Sequence, residues 1–334
     1  MDNPVLVEVM RGGIVESRHR GSVAVVDDAG RTVFALGDVD RPVYPRSAVK
    51  ALQALPLVES GAAERFGLGD QEIALACASH AGAPEHVATA VSMLAKAGQG
   101  PQVLECGAHW PNGPAEMRAL AASGASPTAL HNNCSGKHSG FVCVACALGV
   151  DPCGYVAFDH PVQREVRAVF EQMTGQAIDP QARGTDGCSI PTYAIAPVAL
   201  ARAFARFGTG KGLEPGRARA AERIRGAVAA HPRMVSGEGR FDTVVMSRLG
   251  QRLFCKVGAE GMYCAALPGQ GLGVAIKIDD GAARAAEVAL GAVARRFLAL
   301  SAEDRDALSP AFEPQLHNWN GIRVGEIRAT LDRG

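Results

Sequence analysis

The chain has 334 residues and a formal net charge of zero, because 34 lysines and arginines balance 34 aspartates and glutamates. This balance excludes the positive excess with which proteins recruit nucleic acid or anionic lipid. Hydrophobic residues make up 47% of the chain and charged residues 20%, which is typical of a folded globular protein and not of a disordered one.

Strand patterns lie near the N-terminus. We predict β-strands at residues 5–10, 22–27 and 32–36, with a tight turn at residues 28–30. The first residues, Met1-Asp2-Asn3-Pro4, lack the basic and apolar segments of a secretory leader, and the nine cysteines are an odd number. We therefore expect a reduced, cytoplasmic protein.

Helical periodicity dominates the middle of the chain. We predict helices over residues 84–97, 159–175, 193–207, 217–230 and 282–300. The helix at 159–175 has the clearest signals, because Asp159-His160-Pro161 provides a start and Gly175 a stop. The longest apolar run, residues 141–150, is about half of what a bilayer requires, so no membrane span is predicted.

Strand patterns return towards the C-terminus, at residues 243–248, 252–257, 261–267 and 273–278. Glycines separate these segments, which is typical of an antiparallel meander. We therefore predict an α+β fold in which both termini build an antiparallel sheet, flanked by helices, with a helical subdomain inserted. In this single domain, residues 1–45 and 240–334 form the sheet lobe, and residues 46–239 form the helical lobe.

Ser47 and Lys50 are the first candidates for catalysis. They lie three residues apart at the start of a predicted helix, so their side chains share one face. This is the S-x-x-K spacing of serine nucleophiles. A capping serine followed by a solvated lysine gives the same pattern, so the spacing alone leaves both interpretations open.

Ser79 and His80 follow the apolar run at residues 73–78, which we interpret as a buried strand or turn. A hydroxyl and an imidazole then enter a glycine-containing loop, as reactive groups on rigid scaffolds do. Lys256 lies on a predicted strand, opposite in direction to Cys255 and Val257. Its K-x-G spacing is similar to the K-T-G element of serine penicillin-recognising enzymes. Local capping of the loop and a solvated lysine would give the same patterns.

Two polar, glycine-containing stretches carry candidate metal ligands. Cys134 and His138 lie in residues 132–138, and Cys188 lies in residues 184–188. Sulfur and imidazole suit Zn²⁺, although neither stretch contains a C-x-x-C pair. The C-x-x-C spacing of Cys143 and Cys146 occurs in an apolar helix, so we interpret these two as core thiols.

The order of these motifs resembles the L-asparaginase II family, the rhizobial-type asparaginases. The motifs are R-G-G-I-V-E-S (11–17), R-S-A-V-K (46–50), C-A-S-H (77–80), N-C-S-G-K-H (133–138), G-T-D-G-C (184–188), H-P-x-M-V-x-G-E-G-R (231–240) and K-x-G-A (256–259). The resemblance covers most of the chain. It implies a fold similar to serine β-lactamases, penicillin-binding proteins and glutaminases, and a homodimer.

The resemblance also implies functional residues. It implies two Ser-Lys dyads, Ser47 with Lys50 and Ser79 with Lys256. It implies zinc on Cys134, Lys137 and Cys188, so that Lys137 takes the place of His138 in our ligand set. We add Asp186, His80 and Arg46 as candidate substrate-binding residues, with Asp186 for the substrate α-ammonium group or for orienting the groups around the metal.

The expected reaction is hydrolysis of the L-asparagine side-chain amide to aspartate and ammonia through an acyl-enzyme. Ser47 attacks, neutral Lys50 takes its proton, the Lys256 charge favours neutral Lys50, and Ser79 relays protons. The same residues also allow Ser79 to be the nucleophile. A glutaminase, another β-lactamase-like hydrolase, and a non-enzymatic zinc or redox cysteine protein are competing interpretations, because a fold alone does not determine function.

Overall fold

The computed structural model describes residues 3–331. Its strands are β1 Val5–Arg11, β2 Ile14–Asp27, β3 Thr32–Leu36, β4 Arg183–Thr185, β5 Pro191–Tyr193, β6 Phe254–Val257, β7 Met262–Leu267, β8 Leu272–Ile278, β9 Gln315–His317 and β10 Arg323–Ala329. Its α-helices are α1 Lys50–Gln53, α2 Leu55–Glu59, α3 Ala62–Arg65, α4 Asp70–Ala76, α5 Pro84–Lys96, α6 Pro114–Ala122, α7 Ser135–Leu148, α8 Pro161–Thr174, α9 Pro197–Thr209, α10 Pro215–Ala230, α11 Pro232–Val235, α12 Phe241–Leu249, α13 Ala283–Phe297 and α14 Ala302–Phe312. In this part of the chain, no helix combines the length and apolar character needed to cross a membrane.

The chain divides into two compact units. The first consists of the chain up to Ala48, the segment Ile195–Thr209 and the chain from Val244 onward. It contains an antiparallel sheet with the strand order β6-β7-β8-β2-β1-β10-β9, and β3 pairs with β2 outside this path. Because C-terminal β10 lies beside N-terminal β1, the predicted α+β fold with a sheet built from both ends of the chain is confirmed.

The central strands of this sheet are covered on both faces. All six residues of β7 are buried, and successive side chains of a strand point to opposite faces. Helices α9 and α13 both pack against β7 and β8. Strand β7 is therefore apolar along its whole length, because neither of its faces meets water.

The second unit consists of Val49–Ala194 and Gly210–Thr243. Its long helix α7 is buried over most of its length and packs against α4, α5 and α8. Burial extends from Ser135 to Ala145, so the predicted core position of Cys143 is confirmed, while Cys146 is half-buried at the end of this stretch. A helix that is apolar on all sides needs such a position.

The predicted helix at residues 159–175 is confirmed as α8. His160 is the N-cap, and its Nδ1 accepts a hydrogen bond from the Val162 amide at 3.2 Å. Gly175 ends the helix in a left-handed conformation with φ of 72°, which a residue without a Cβ adopts at little cost. Local capping chemistry therefore fixes both ends of this helix.

The predicted strand at residues 243–248 is wrong, because this segment is part of helix α12. The buried residues Phe241, Val245 and Leu249 recur every four positions, which buries one side of a helix. The β-branched residues of the segment favour a strand, and tertiary packing outweighs that preference.

Two further boundaries differ from the predictions. The apolar run at residues 73–78 is not a strand, because most of it belongs to helix α4, which ends at Ala76. The predicted helix at residues 193–207 consists of the end of strand β5 and then helix α9, which begins at Pro197. Proline at a first helical position explains the later start.

Candidate active site

Lys50 is the centre of a buried polar cluster in the second unit. It begins α1 directly after a 3-10 helix, Arg46–Val49, and its side chain is 1% exposed. The Lys50 Nζ atom donates to Ser79 Oγ at 2.9 Å, to Cys134 Sγ at 3.1 Å and to the Ala78 carbonyl oxygen. An ammonium group has three donors, so these partners use all of them.

Main-chain hydrogen bonds hold Ser79 in this cluster. After α4 ends, the Ser79 amide donates to the Val235 carbonyl at 2.8 Å, and the His80 amide donates to the Asn133 carbonyl at 3.1 Å. Three motifs that are far apart in the sequence therefore meet within the second unit. The loop that carries Ser79 is fixed by backbone groups on two other segments, which limits its movement.

A glycine brings helix α7 close to this loop. A Cβ atom on Gly136 would lie only 2.3 Å from the Leu75 carbonyl oxygen of α4, closer than real Cβ contacts allow. The first turn of α7 therefore approaches α4 in a way that only glycine permits. This approach brings Cys134 and Lys137, on either side of Gly136, next to the end of α4.

The predicted metal ligands also lie together. The Lys137 Nζ atom donates to Cys188 Sγ at 3.0 Å, and Cys134 and Cys188 form a side-chain hydrogen bond. Cys188 is presented by a tight turn in which the Asp186 amide donates to the Ile190 carbonyl at 2.8 Å. In that turn Ser189 has a φ of 77°, a strained value for a residue with a side chain.

The pKa values of the two cysteines shift in opposite directions. The hydrogen bond from Cys188 is the largest cause that holds the pKa of Cys134 well below its usual value; together with the charges of Lys50 and Lys137 it outweighs burial. The same hydrogen bond, together with burial, raises the pKa of Cys188. These opposite directions favour ionisation of Cys134 over Cys188, and the Cys134 Sγ atom also lies 3.2 Å from Asn133 Oδ1.

Lys137 is an ammonium group in this arrangement. Burial lowers its pKa, but the neighbouring sulfurs of Cys188 and Cys134 raise it by more, and the net direction is upward. Two buried lysines, Lys50 and Lys137, thus accompany Cys134, whose pKa is lowered. A buried anion is tolerable only with such partners.

The donor set fits a small thiophilic cation. Tetrahedral Zn²⁺ separates a sulfur and a nitrogen ligand by about 3.6 Å. Lys137 Nζ and Cys188 Sγ lie 3.0 Å apart in a hydrogen bond, so the two donors would have to move apart to hold the ion. Thiolate is a preferred zinc ligand, while Lys137 would have to lose its proton. Within residues 3–331, no group of three or more histidine, cysteine, aspartate or glutamate side chains could hold a metal, so any site here needs the lysine.

His138 has a different partner from the one expected of a metal ligand. Its Nδ1 atom lies 2.6 Å from the Tyr155 hydroxyl, and its side chain is fully buried. His80 is also fully buried, and its Nε2 atom lies 2.9 Å from Ser135 Oγ. Burial lowers the pKa of both histidines, so both rings are neutral.

These buried histidines predict a loss of stability in mild acid. An unfolded histidine has a pKa near 6.5, and the folded values of His80 and His138 lie lower, so below about pH 6.5 only the unfolded chain gains protons. The contribution of these two histidines to the free energy of unfolding is therefore fully present above this pH and is lost as the pH falls. The limiting slope for two histidines is about 2.7 kcal/mol per pH unit.

Urea unfolding between about pH 7.5 and about pH 5.5 measures this slope. A His138→Gln variant should reduce the slope by about 1.4 kcal/mol per pH unit, because one titrating group is removed. Equal slopes for the variant and the parent protein would contradict the assignment of a depressed pKa to His138.

The other candidate residues lie at defined positions. Ser47 is half-buried in the 3-10 helix, next to Arg46, whose φ of 51° is unusual for a residue with a side chain. In the first unit Lys256 is fully buried on β6, and its Nζ atom donates to the Val257 carbonyl at 2.9 Å. Asp186 is half-buried and accepts a bond from the Gly187 amide at 2.6 Å.

The segment that contains Ser47 and the strand that contains Lys256 adjoin within the first unit. A Cβ atom on Gly258 would lie 2.8 Å from the Pro45 carbonyl oxygen and 3.1 Å from Ala48 Cβ. Glycine in the K-x-G motif thus permits close packing against the S-x-x-K segment. The dyads implied by the resemblance, Ser47 with Lys50 and Ser79 with Lys256, stay predictions. A lysine–serine contact is observed between Lys50 and Ser79.

Sequence reasoning missed several contributors to the cluster. The carbonyl groups of Ala78, Asn133 and Val235 carry no side-chain signal, because every residue has such a group. Ser135 lies inside a recognised motif, yet nothing in its spacing indicated a bond to His80. These contacts could be found only from the folded chain.

The chain matches one family of known proteins over nearly its whole length. The family model described as L-asparaginase II matches residues 7–329. No match was found among curated proteins. A solved structure of a protein called Mglu is similar over 88% of this chain and 71% of that chain, with 15% identity and a TM-score of 0.47. Across five Mglu structures, the chain spans 60% to 71% of their length.

Two other solved structures are similar at lower TM-scores. A beta-lactamase from Mycobacterium bovis has 13% identity and a TM-score of 0.38, with 83% of this chain and 94% of that chain covered. The D-alanine carboxypeptidase AmpC from Burkholderia cenocepacia has 14% identity and a TM-score of 0.38, with 81% and 93% covered.

Proposed function

Because this chain belongs to the L-asparaginase II family, we propose that it hydrolyses L-asparagine to L-aspartate and ammonia through a serine acyl-enzyme. Membership of this family makes the chain a serine-type amidohydrolase. The observation that carries the proposal is the buried contact of 2.9 Å between Lys50 Nζ and Ser79 Oγ. A lysine amine beside a serine hydroxyl is the arrangement that serine acyl transfer without histidine needs.

In this proposal Ser47 attacks the side-chain amide carbon, and Lys50 accepts the proton of its hydroxyl. Lys50 must be neutral at this step, and in this proposal the positive charge of Lys256 favours the neutral form. The proton then passes from Lys50 to Ser79, for which the observed contact provides the path, and from Ser79 to the leaving ammonia. Water releases aspartate from Ser47 by the reverse sequence of proton transfers.

Cys134, Lys137 and Cys188 would hold Zn²⁺, and Asp186, beside Cys188, would bind the substrate α-ammonium group or orient the groups around the metal. A bound zinc ion supplies a fixed positive charge that can position substrate and brace the surrounding loops. Arg46 would bind the substrate carboxylate, since guanidinium matches carboxylate geometry.

An ammonia assay tests the proposal directly. The protein should release ammonia from L-asparagine faster than from L-glutamine. Faster release from glutamine would favour a glutaminase, and the absence of ammonia from both amides would contradict an asparaginase.

The family resemblance also implies a homodimer, and nine free cysteines support a reducing compartment such as the cytoplasm. Light scattering should give twice the chain mass of 34.7 kDa.

Removal of a sulfur ligand should remove zinc. We expect about one zinc ion per chain in the purified protein, and little zinc in Cys134→Ser and Cys188→Ser variants, because a serine hydroxyl is a poor replacement for thiolate. Elemental analysis of the purified proteins measures the ratio. A Cys153→Ser variant is the matched control, since Cys153 is exposed, and it should keep its zinc. Full zinc content in Cys188→Ser would contradict the ligand set.

A further inference from the structure

We infer that His80 is a positioning residue, whose ring joins the Ser79 loop to the first turn of α7 and so fixes the distance between Ser79 and Lys50. The inference rests on the proposed function, and it replaces the expected role of His80 as a substrate ligand. Its basis is the hydrogen-bond pattern of the ring, its burial and its place beside Ser79.

The hydrogen bonds of His80 define its tautomer. The Gly82 amide donates to Nδ1 at 3.1 Å, so Nδ1 carries no proton. The ring proton is therefore on Nε2, which donates to Ser135 Oγ at 2.9 Å. The Ser135 hydroxyl in turn donates to the Leu130 carbonyl at 3.0 Å. This series of hydrogen bonds begins at a backbone amide, which can only donate, and ends at a backbone carbonyl, which can only accept. The direction of every hydrogen bond between them is therefore fixed.

Burial leaves His80 no route to a substrate. Its side chain has no exposed surface, and the ring stacks on His86 with centroids 4.9 Å apart. His86 is held in the same way, because its Nδ1 accepts from the Ala83 amide at 3.0 Å and its Nε2 donates to the Arg233 carbonyl at 3.0 Å. Both nitrogens of His80 are already used, so a substrate could bind to it only if these bonds broke.

His80 lies next to two of the three partners of the Lys50 amine, Ser79 and Cys134. Its backbone amide bonds to Asn133 and its ring bonds to Ser135, so the two bonds bracket Cys134. Ser79, the residue before His80, provides a second of the three contacts of Lys50. Loss of the hydrogen bond between the His80 ring and Ser135 would let the Ser79 loop and the first turn of α7 shift against each other. A shift of about 1 Å at a reacting group can cost on the order of 10²-fold in rate.

Two substitutions separate this role from simple loss of packing. In His80→Asn the shorter side chain can still accept from Gly82 but cannot reach Ser135, and kcat for asparagine should fall about 10- to 100-fold with KM within about twofold. In His80→Gln the amide nitrogen overlies Nε2, so kcat should recover to within about fivefold of the parent value. The matched control is His160→Asn, because His160 also accepts through Nδ1 from an amide two residues on, and its kcat should not change.

A double-mutant cycle tests the bond itself. Ser135→Ala should lower kcat as His80→Asn does, and the double variant should lose no more than either single variant, because the two act through one contact. Additive losses, or a rise in KM without a fall in kcat, would overturn the inference. Melting temperatures of all variants identify any that are unfolded, and His80→Gln keeps the test decisive if His80→Asn does not fold.

A spectroscopic measurement distinguishes this inference from the proposed function. In long-range proton–nitrogen spectra of the parent protein labelled with ¹⁵N-histidine, His80 should be the neutral tautomer protonated at Nε2, and Ser135→Ala should shift its Nε2 signal. A protonated Nδ1 would overturn the inference even in an active enzyme. If the parent protein releases no ammonia from asparagine, the proposed function fails, while this spectrum still tests the position of His80.

Discussion

A Lys50→Met variant is expected to stay folded and to lose amide hydrolysis by about 10³-fold or more in kcat. Lys50 is the amine that accepts the nucleophile proton, and its Nζ atom is the observed donor to Ser79. Methionine keeps the length and most of the volume of the side chain but has no group that can accept a proton. Both proton transfers of the proposed mechanism therefore fail together.

The buried thiolate of Cys134 loses one of its positive neighbours in this variant. Cys134 can respond by taking up a proton, which limits the cost of leaving an anion unpaired. Circular dichroism and the melting temperature check the fold, and ammonia release measures kcat. Lys96→Met is the matched control, because the exposed Lys96 pairs with the Glu72 carboxylate of α4 and not with the Lys50 cluster, so this variant should keep the parent kcat. Activity of Lys50→Met within about tenfold of the parent protein would contradict a lysine base.

A Ser47→Ala variant is expected to lose turnover by about 10⁴-fold or more, because no covalent intermediate can form. Ser79→Ala should be less severe, since loss of a proton relay slows the departure of ammonia but leaves the attacking group in place. Steady-state ammonia release from both variants measures this order. A Ser123→Ala variant, at the exposed end of α6, is the control for the substitution itself.

A larger loss of turnover in Ser79→Ala than in Ser47→Ala would identify Ser79 as the nucleophile. Ser79 is already in contact with Lys50, so that result would keep the same base and exchange the roles of the two serines. Full activity of both variants would exclude Ser47 and Ser79 as catalytic serines.

Much of the fold follows from local sequence signals. Helix α8 could be predicted because His160, Pro161 and Gly175 specify its ends within a few residues. The sheet from both chain ends followed from strand patterns at the two termini. Helix α12 could not be predicted in this way, because its β-branched residues favour a strand and only its packing selects the helix.

The candidate site depends on contacts that no local pattern contains. The Lys50 contact with Ser79 joins residues 29 apart, and that with Cys134 joins residues 84 apart. The family resemblance supplied the pairing of Ser79 with Lys256 and the ligand Lys137, while the carbonyl groups that hold the Ser79 loop came from the structure alone. The choice of Lys137 over His138 shows the same limit, because the two are neighbours in sequence and only Lys137 bonds to Cys188.

The most direct test of the account is to trap the acyl-enzyme. Mixing with L-asparagine, rapid acid quenching and peptide mass mapping would locate any aspartyl ester. The account predicts an aspartyl group on the peptide that contains Ser47, present in the parent protein and absent from Ser47→Ala. An aspartyl group on Ser79, or ammonia release with no acylated serine at any time, would contradict it.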